Sequence, residues 1–247
     1  MDELSLLRSR IDDVLTEAYE KGNGYLGFLN EAEVSYTKGY LKNQGVNFHF
    51  YGGYSLASRC FLCISPFDSE IEVNLYPFKP YIIKARSCAE ISHRDYLGSL
   101  MSLGIKRDCI GDILTISTSS AIVFIRDEIA GYVIESLRTI GREGVSVSVY
   151  TDDIRACEPK SEDIKIIVSS MRLDNVVSAC INKSRTNATL LIDSELVYVN
   201  YVAVSKASHT VREGDVMSIR GYGKFKIMEQ VSITRKDRLV IRVLHYI

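Results

Sequence analysis

The hydrophobic positions of this chain switch between a helical period and an alternating one, and the switches mark its elements. Leu4, Leu7, Ile11, Val14, Leu15 and Ala18 recur at helical spacing until Gly22-Asn23-Gly24 stops the run. A short apolar link, Tyr25-Leu26-Gly27-Phe28-Leu29, follows. A second helix is expected after Asn30, with Glu31 and Glu33 in its first turn, running to about Asn43. Residues 46–51 alternate as a strand, Gly52-Gly53-Tyr54 reads as a turn, and residues 58–65 and 70–76 read as strands. This first third is expected to be a small α+β domain.

From residue 81 the order becomes clearer. Strands are expected at 81–85, 112–116, 121–125 and 145–150, with a helix from Ser92 to about Leu103 and another over 126–140. The order βαββαβ is the ferredoxin-like pattern that RRM domains share. An RRM stacks bases on aromatics of its central strands. Here Ile122, Val123 and Ile125 surround a single Phe124, so the expectation is an RRM-like fold without that stacking surface.

Residues 152–163 are polar, contain Pro159 and read as a linker, and 164–169 as a strand. Leu173, Val176, Val177 and Cys180 then form one helical face, and Ala188, Leu191 and Ile192 a second, behind Ser184 as N-cap. Leu196, Val197, Val199, Val202 and Val204 look like strands. The turn Glu213-Gly214-Asp215 leads into a strand over 216–220. Strands at 225–233 and 239–246 flank Thr234-Arg235-Lys236-Asp237. The fold class is α+β, with domains expected at 1–78, 79–163 and 164–247.

Charge divides along the same line. Residues 1–167 carry 18 Lys and Arg against 24 Asp and Glu, a net of −6, while residues 168–247 carry 12 against 7, a net of +5. A basic module on an acidic body points to a polyanionic partner for the C-terminal part. No apolar run approaches the ~18 residues of a membrane helix. The acidic, amphipathic N-terminus is unlike a secretory signal, and six cysteines without framework spacing point to reduced thiols in the cytoplasm.

The basic side chains also fall at particular places. Lys183, Ser184 and Arg185 open the second helix of the C-terminal module, where free N–H groups and the helix dipole favour anions. Asn187 lies on the same turn and can donate to a phosphate or a 2′-hydroxyl. Arg172 begins the first helix. Arg220, Lys224 and Lys226 cluster around Gly221 and Gly223. These eight residues are the candidate RNA contacts. Arg235, Lys236 and Arg238 either extend that patch or solubilise a hairpin.

Motifs for catalysis or metal do not hold together. Cys60-x-x-Cys63 has no second pair to complete a zinc site, and odd spacing in a strand sends the two thiols to opposite faces. His93-Arg94-Asp95 imitates a kinase triplet, but Leu100 stands where the Asn is needed. Gly221-x-Gly223 is too short for a dinucleotide fingerprint, and the four histidines lack ligand spacing. No catalytic residue, cofactor or metal is assigned.

Arg172-Leu173-Asp174, Ser184-Arg185-x-x-Ala188, Leu191-Ile192, Val197-x-Val199-Asn200 and Gly214-Asp215 resemble the S4 RNA-binding domain. Glu195 departs from that pattern, which often has Gly before the Val-x-Val-Asn strand. Ser218-Ile219-Arg220-Gly221-Tyr222-Gly223-Lys224-Phe225 resembles, more narrowly, the bacterial YlmH family of cytoplasmic S4 proteins associated with the large ribosomal subunit. Gly27-Phe28-Leu29 and Gly52-Gly53-Tyr54-x-x-Ala57-x-Arg59 resemble its N-terminal domain, with Ser58 where the family often has an acidic residue. His93-Arg94-Asp95-Tyr96-Leu97-Gly98, Leu103-Gly104-Ile105-x-Arg107 and Gly111-Asp112-Ile113 resemble its middle domain.

The missing catalytic motifs lead to the expectation of a non-enzymatic rRNA-binding protein, expected to be a monomer; the resemblance implies binding to 50S subunits that hold peptidyl-tRNA, in ribosome-associated quality control. Two rivals stand beside it. One is an RNA-modifying enzyme working through a cleft with Asp95 or Asp112. Arg172-Leu173-Asp174 is superficially like a pseudouridine-synthase motif but lacks the enzyme domain that should follow. The other is a protein adaptor, for example in cell division, with RNA binding secondary.

Overall fold

Capping side chains set the helix starts that the pattern predicts. Asn30 and Glu33 form a reciprocal capping box, as do Ser92 and Asp95. The computed structural model describes residues 3–66, 72–88, 90–157 and 161–246. The chain is α+β and falls into two units, Met1–Glu158 and Pro159–Ile247.

In the first unit, α1 (Glu3–Lys21), β1 (Gly24–Leu29), α2 (Glu31–Leu41), β2 (Asn47–Tyr51) and β3 (Cys60–Ser65) come first. Their sheet is antiparallel in the order β1-β3-β2. Cys60 and Cys63, three apart in β3, face opposite ways, and since all six residues of β3 are buried both are covered. β4 (Phe78–Ala85), α3 (His93–Ser102), β5 (Ile110–Ser117), β6 (Ser120–Arg126), α4 (Asp127–Ser136), β7 (Thr139–Ile140) and β8 (Glu143–Val149) follow, with sheet order β5-β6-β4-β8-β7. The first and third strands of the βαββαβ unit, β4 and β6, are therefore central, as that pattern requires.

Three expectations need correction here. The strand expected over 70–76 is a 3₁₀ turn at Val73–Leu75, and residues 70 and 71 lie outside the described residues. The helix expected over 126–140 ends at Ser136. Leu137 and Ile140 continue the apolar spacing after Val133 and are buried in the same core, which mimics another helical turn. The chain has instead left the helix to pair β7 with β8 around Gly141, whose φ is +59°. β4 begins at Phe78 rather than Tyr81. Pro80 fits within the strand because β8 pairs β4 only from Tyr81 onward, leaving the proline's missing N–H without a ladder position to fill.

The second unit consists of β9 (Ser161–Val168), α5 (Leu173–Cys180), α6 (Arg185–Asp193), β10 (Val197–Val199), β11 (Val202–Ala203), β12 (Val216–Ile219), β13 (Gly223–Ile233) and β14 (Leu239–Tyr246). They make one antiparallel sheet, β11-β10-β12-β13-β14-β9. Leu173, Val176, Val177, Ala188 and Ile192 of the helices pack on Val197, Met217, Ile219, Phe225, Ile227 and Val243 of the sheet. Alternation along β13 then sends Lys224 and Lys226 to the face away from the helices.

Candidate nucleic-acid interface

A buried carboxylate organises the helix pair of the second unit. Asp174, in the first turn of α5, is 4% exposed. Its Oδ1 accepts from Arg172 Nε at 3.1 Å, and its Oδ2 from Arg172 Nη2 at 3.1 Å and Arg185 Nη2 at 2.5 Å. Burial pushes the Asp174 pKa up, but the hydrogen bonds from the two guanidinium groups outweigh burial, and the net shift is downward. The arginine side chains themselves keep 44% and 59% of their surface in solvent. Two cations are thus held at a fixed separation, with their outer edges free to meet a partner's oxygens.

The start of α6 is equally well fixed. Asn182 turns the chain at φ +51°, Ser178 Oγ donates to Lys183 O at 2.7 Å, and Lys183 N donates to Ser178 O at 3.1 Å. Ser184 caps the helix by accepting from Asn187 N at 3.2 Å. Lys183, Ser184, Arg185 and Asn187 are all exposed on this turn. With Arg172 they form one surface, in which positive side chains surround a helix N-terminus.

Arg220, Lys224 and Lys226 do not join that surface. Arg220 sits in the β12–β13 turn, with its N–H donating to Leu196 O beyond the C-terminal end of α6. Lys224 pairs with Ser218 on one side and Tyr246 on the other, its ammonium 5.7 Å from the Tyr201 ring centroid. Lys226 follows on the same outer face.

Other S4-like residues prove to be framework. Asn200 and Tyr201, at φ +50° and +66°, make the tight turn between β10 and β11. Asn200 Nδ2 donates to Asp215 Oδ1 at 2.8 Å and its Oδ1 accepts from Val216 N at 3.0 Å, pinning that turn to the next strand. Glu195 adopts φ +55°, so the left-handed turn persists without glycine. In the sequence Asp174 is one position of the Arg172-Leu173-Asp174 motif; the fold makes it a shared counter-ion by bringing Arg185 to it.

In the first unit, the family-like residues converge on a packing seam. Phe124 is 1% exposed on β6, stacked on Tyr54 at 5.8 Å and edge-on to Phe78. The face on which an RRM would stack bases is therefore covered at this ring. Gly53 has φ +96°, and a Cβ there would lie 2.1 Å from Phe124. Gly27 lies where a Cβ would meet the Asp108 carbonyl oxygen at 2.6 Å. Asp112 Oδ2 accepts from Tyr54 Oη at 2.8 Å and from Ser58 N, whereas Asp95 caps its own helix. Arg59 donates to Phe28 O at 2.6 Å, and burial together with neighbouring Arg59 pushes Arg107 down to about 10.

A groove of about 740 Å³ in this unit is lined by Tyr51, Val73, Leu75, Lys79, Asp127 and Asp152 among others. Among the described residues, no group of three His, Cys, Asp or Glu side chains could hold a metal ion. None of the described helices is long and apolar enough to cross a membrane.

Comparison with known proteins follows the same division. Residues 72–153 match the family described as "Putative RNA-binding domain in YlmH", and residues 171–217 match the S4 domain. A solved structure, "Cell division protein ylmH from Streptococcus pneumoniae", superposes with a TM-score of 0.53 at 17% identity, covering 61% of this chain and 93% of that one. At that identity the likeness shows the fold. The "Ribosome-associated protein quality control protein P2" of Bacillus subtilis (strain 168) is 30% identical over 219 residues, which is 85% of this chain and 82% of the relative. With two matching domains in order and a relative spanning most of both chains, the chain belongs to the YlmH family of S4-domain RNA-binding proteins.

Proposed function

We propose that this protein binds rRNA of the large (50S) ribosomal subunit, with peptidyl-tRNA as a second ligand, in cytoplasmic quality control of stalled nascent chains. It acts as a monomer without catalysis. Arg172, Lys183, Ser184, Arg185 and Asn187 make the main contact, and Arg220, Lys224 and Lys226 belong to a separate surface. The observation that carries this reading is the Arg172–Asp174–Arg185 cluster beside the capped N-terminus of α6. Such a surface holds phosphates by charge and position rather than by reading base edges. The name of the Bacillus relative supports the ribosomal setting.

Asp95 in a helix cap and Asp112 in the seam each hold structural hydrogen bonds, which supports the binding reading over the enzyme one. The test is co-sedimentation with purified 50S subunits at several salt concentrations. Wild type should pellet with the subunits and be released as salt rises, and Lys183→Glu/Arg185→Glu should stay largely in the supernatant. Equal pelleting of the two proteins would place the contact elsewhere.

A further inference from the structure

The hairpin of β13 and β14 extends past the segment that matches the S4 domain, which ends at residue 217. On the β13 side its distal half stands outside the core, while Leu239 of β14 packs against it. Residues 229–233 are all exposed, including Val231 at 47% and Ile233 at 58%. The tip is nevertheless well formed. Thr234 N donates to Arg238 O at 2.8 Å, Arg238 N to Thr234 Oγ1 at 3.1 Å, and Asp237 N to Thr234 O at 3.0 Å, with Asp237 at φ +54°. This turn presents Arg235, Lys236 and Arg238, all exposed, against the single acid Asp237.

The tip also stands at a particular end of the unit. Leu239, next to Arg238, pairs with Val168, the last residue of β9. From there the chain reaches Arg172 in four residues, ~14 Å at full extension, and adjacent strands are ~5 Å apart. Asn175 Nδ2 ties that connection to α5 by donating to Ser169 Oγ at 3.0 Å and Ser170 Oγ at 2.8 Å. With the ~4 Å step from Arg238 to Leu239, Arg238 thus lies within ~23 Å of Arg172 along this path. The turn holding Arg220 is at the opposite end of β13.

We infer that the β13–β14 tip is a second RNA-phosphate site, in which Arg235, Lys236 and Arg238 engage the backbone of the same RNA that the helix pair holds. The inference rests on the RNA-binding reading of Arg172, Lys183 and Arg185. Its chemistry is charge pairing with phosphate oxygens, by an exposed turn at the end of the sheet, where β14 stays paired with β9. Three added phosphate contacts make the salt dependence steeper, by up to ~2.7 in the log–log slope on a duplex.

The experiment uses the full chain, a fluorescein-labelled RNA stem-loop and purified large subunits. Arg235→Gln/Lys236→Gln/Arg238→Gln should weaken stem-loop binding roughly tenfold near 100 mM salt and flatten the salt slope by about two to three. The doubly conservative Arg235→Lys/Arg238→Lys should keep both. These side chains are exposed, so the melting temperature serves as the folding control. An unchanged dissociation constant and slope in the triple variant, with Lys183→Glu/Arg185→Glu still defective, would overturn the hairpin site alone. Normal stem-loop binding with lost co-sedimentation would reassign the tip to a protein partner. Failure of the unaltered chain to bind either probe would remove the helix-pair reading and this site together.

Discussion

At the scale of single residues, Asp174 carries the heaviest demand in the second unit. Its pKa is depressed relative to the unfolded chain, so its pairing contributes fully at neutral pH. That contribution is lost as pH falls below the ordinary aspartate value of ~3.9 and through the depressed one. Asp174→Asn should therefore flatten the acid limb of the stability curve below pH ~4, measured by thermal melts across pH. Asp174→Ala should cost about 2 kcal/mol at pH 7, a figure held down by the solvent exposure of both arginines. Glu195 is the converse case. Relieving its left-handed backbone is worth ~1 kcal/mol, and glycine's extra freedom in the unfolded chain takes back about half of that. Glu195→Gly should raise stability by ~0.5 kcal/mol in urea titration; a loss of stability would mean that the side chain is contributing.

At the scale of elements, the start of α6 and the outer face of β13 carry separate groups of cations, which the sequence places together only as candidate contacts. Lys224→Glu/Lys226→Glu should reduce affinity for a labelled RNA stem-loop much less than Lys183→Glu/Arg185→Glu. Comparable losses would show that the sheet face also touches RNA. Linear order could not separate the two groups, because facing depends on strand alternation relative to a core whose position only the folded sheet defines. Helix starts were legible because caps are local: Asn30, Ser92 and Ser184 act on N–H groups two or three residues away. The end of α4 was not, since Leu137 and Ile140 keep the helical spacing while serving a hairpin. Arg172 and Arg185 were picked out by type and place, but the carboxylate joining them lies eleven residues from Arg185 and is fixed by packing.

At the scale of the whole molecule, the charge division follows the structural one. Met1–Glu158 carries 16 Lys and Arg against 22 Asp and Glu, and Pro159–Ile247 carries 14 against 9. The α+β class and most of the element order followed from hydrophobic period, because period reports burial whatever the partner; the 3₁₀ turn at Val73–Leu75 and β7 did not. The purpose of Gly27, Gly53 and Tyr54 did not, because each is defined by contact with residues more than fifty positions away. The aromatic seam has a thermodynamic consequence. Phe28 and Phe61 of one sheet of the first unit meet Phe78 of the other, which in turn meets Phe124, with contacting ring centroids 4.8–6.2 Å apart. Neither sheet can open without exposing rings of the other, so residues 3–65 and 78–149 should melt as one cooperative block. Calorimetry should show a single transition for this unit, and Gly53→Ala, which drives a methyl into Phe124, should lower it as a whole by about 3 kcal/mol. A shoulder in which only one sheet is lost would mean that the rings touch without coupling. Cooperative coupling would also make the first unit an all-or-none passenger: truncation within either sheet should yield an aggregating fragment rather than a smaller working protein.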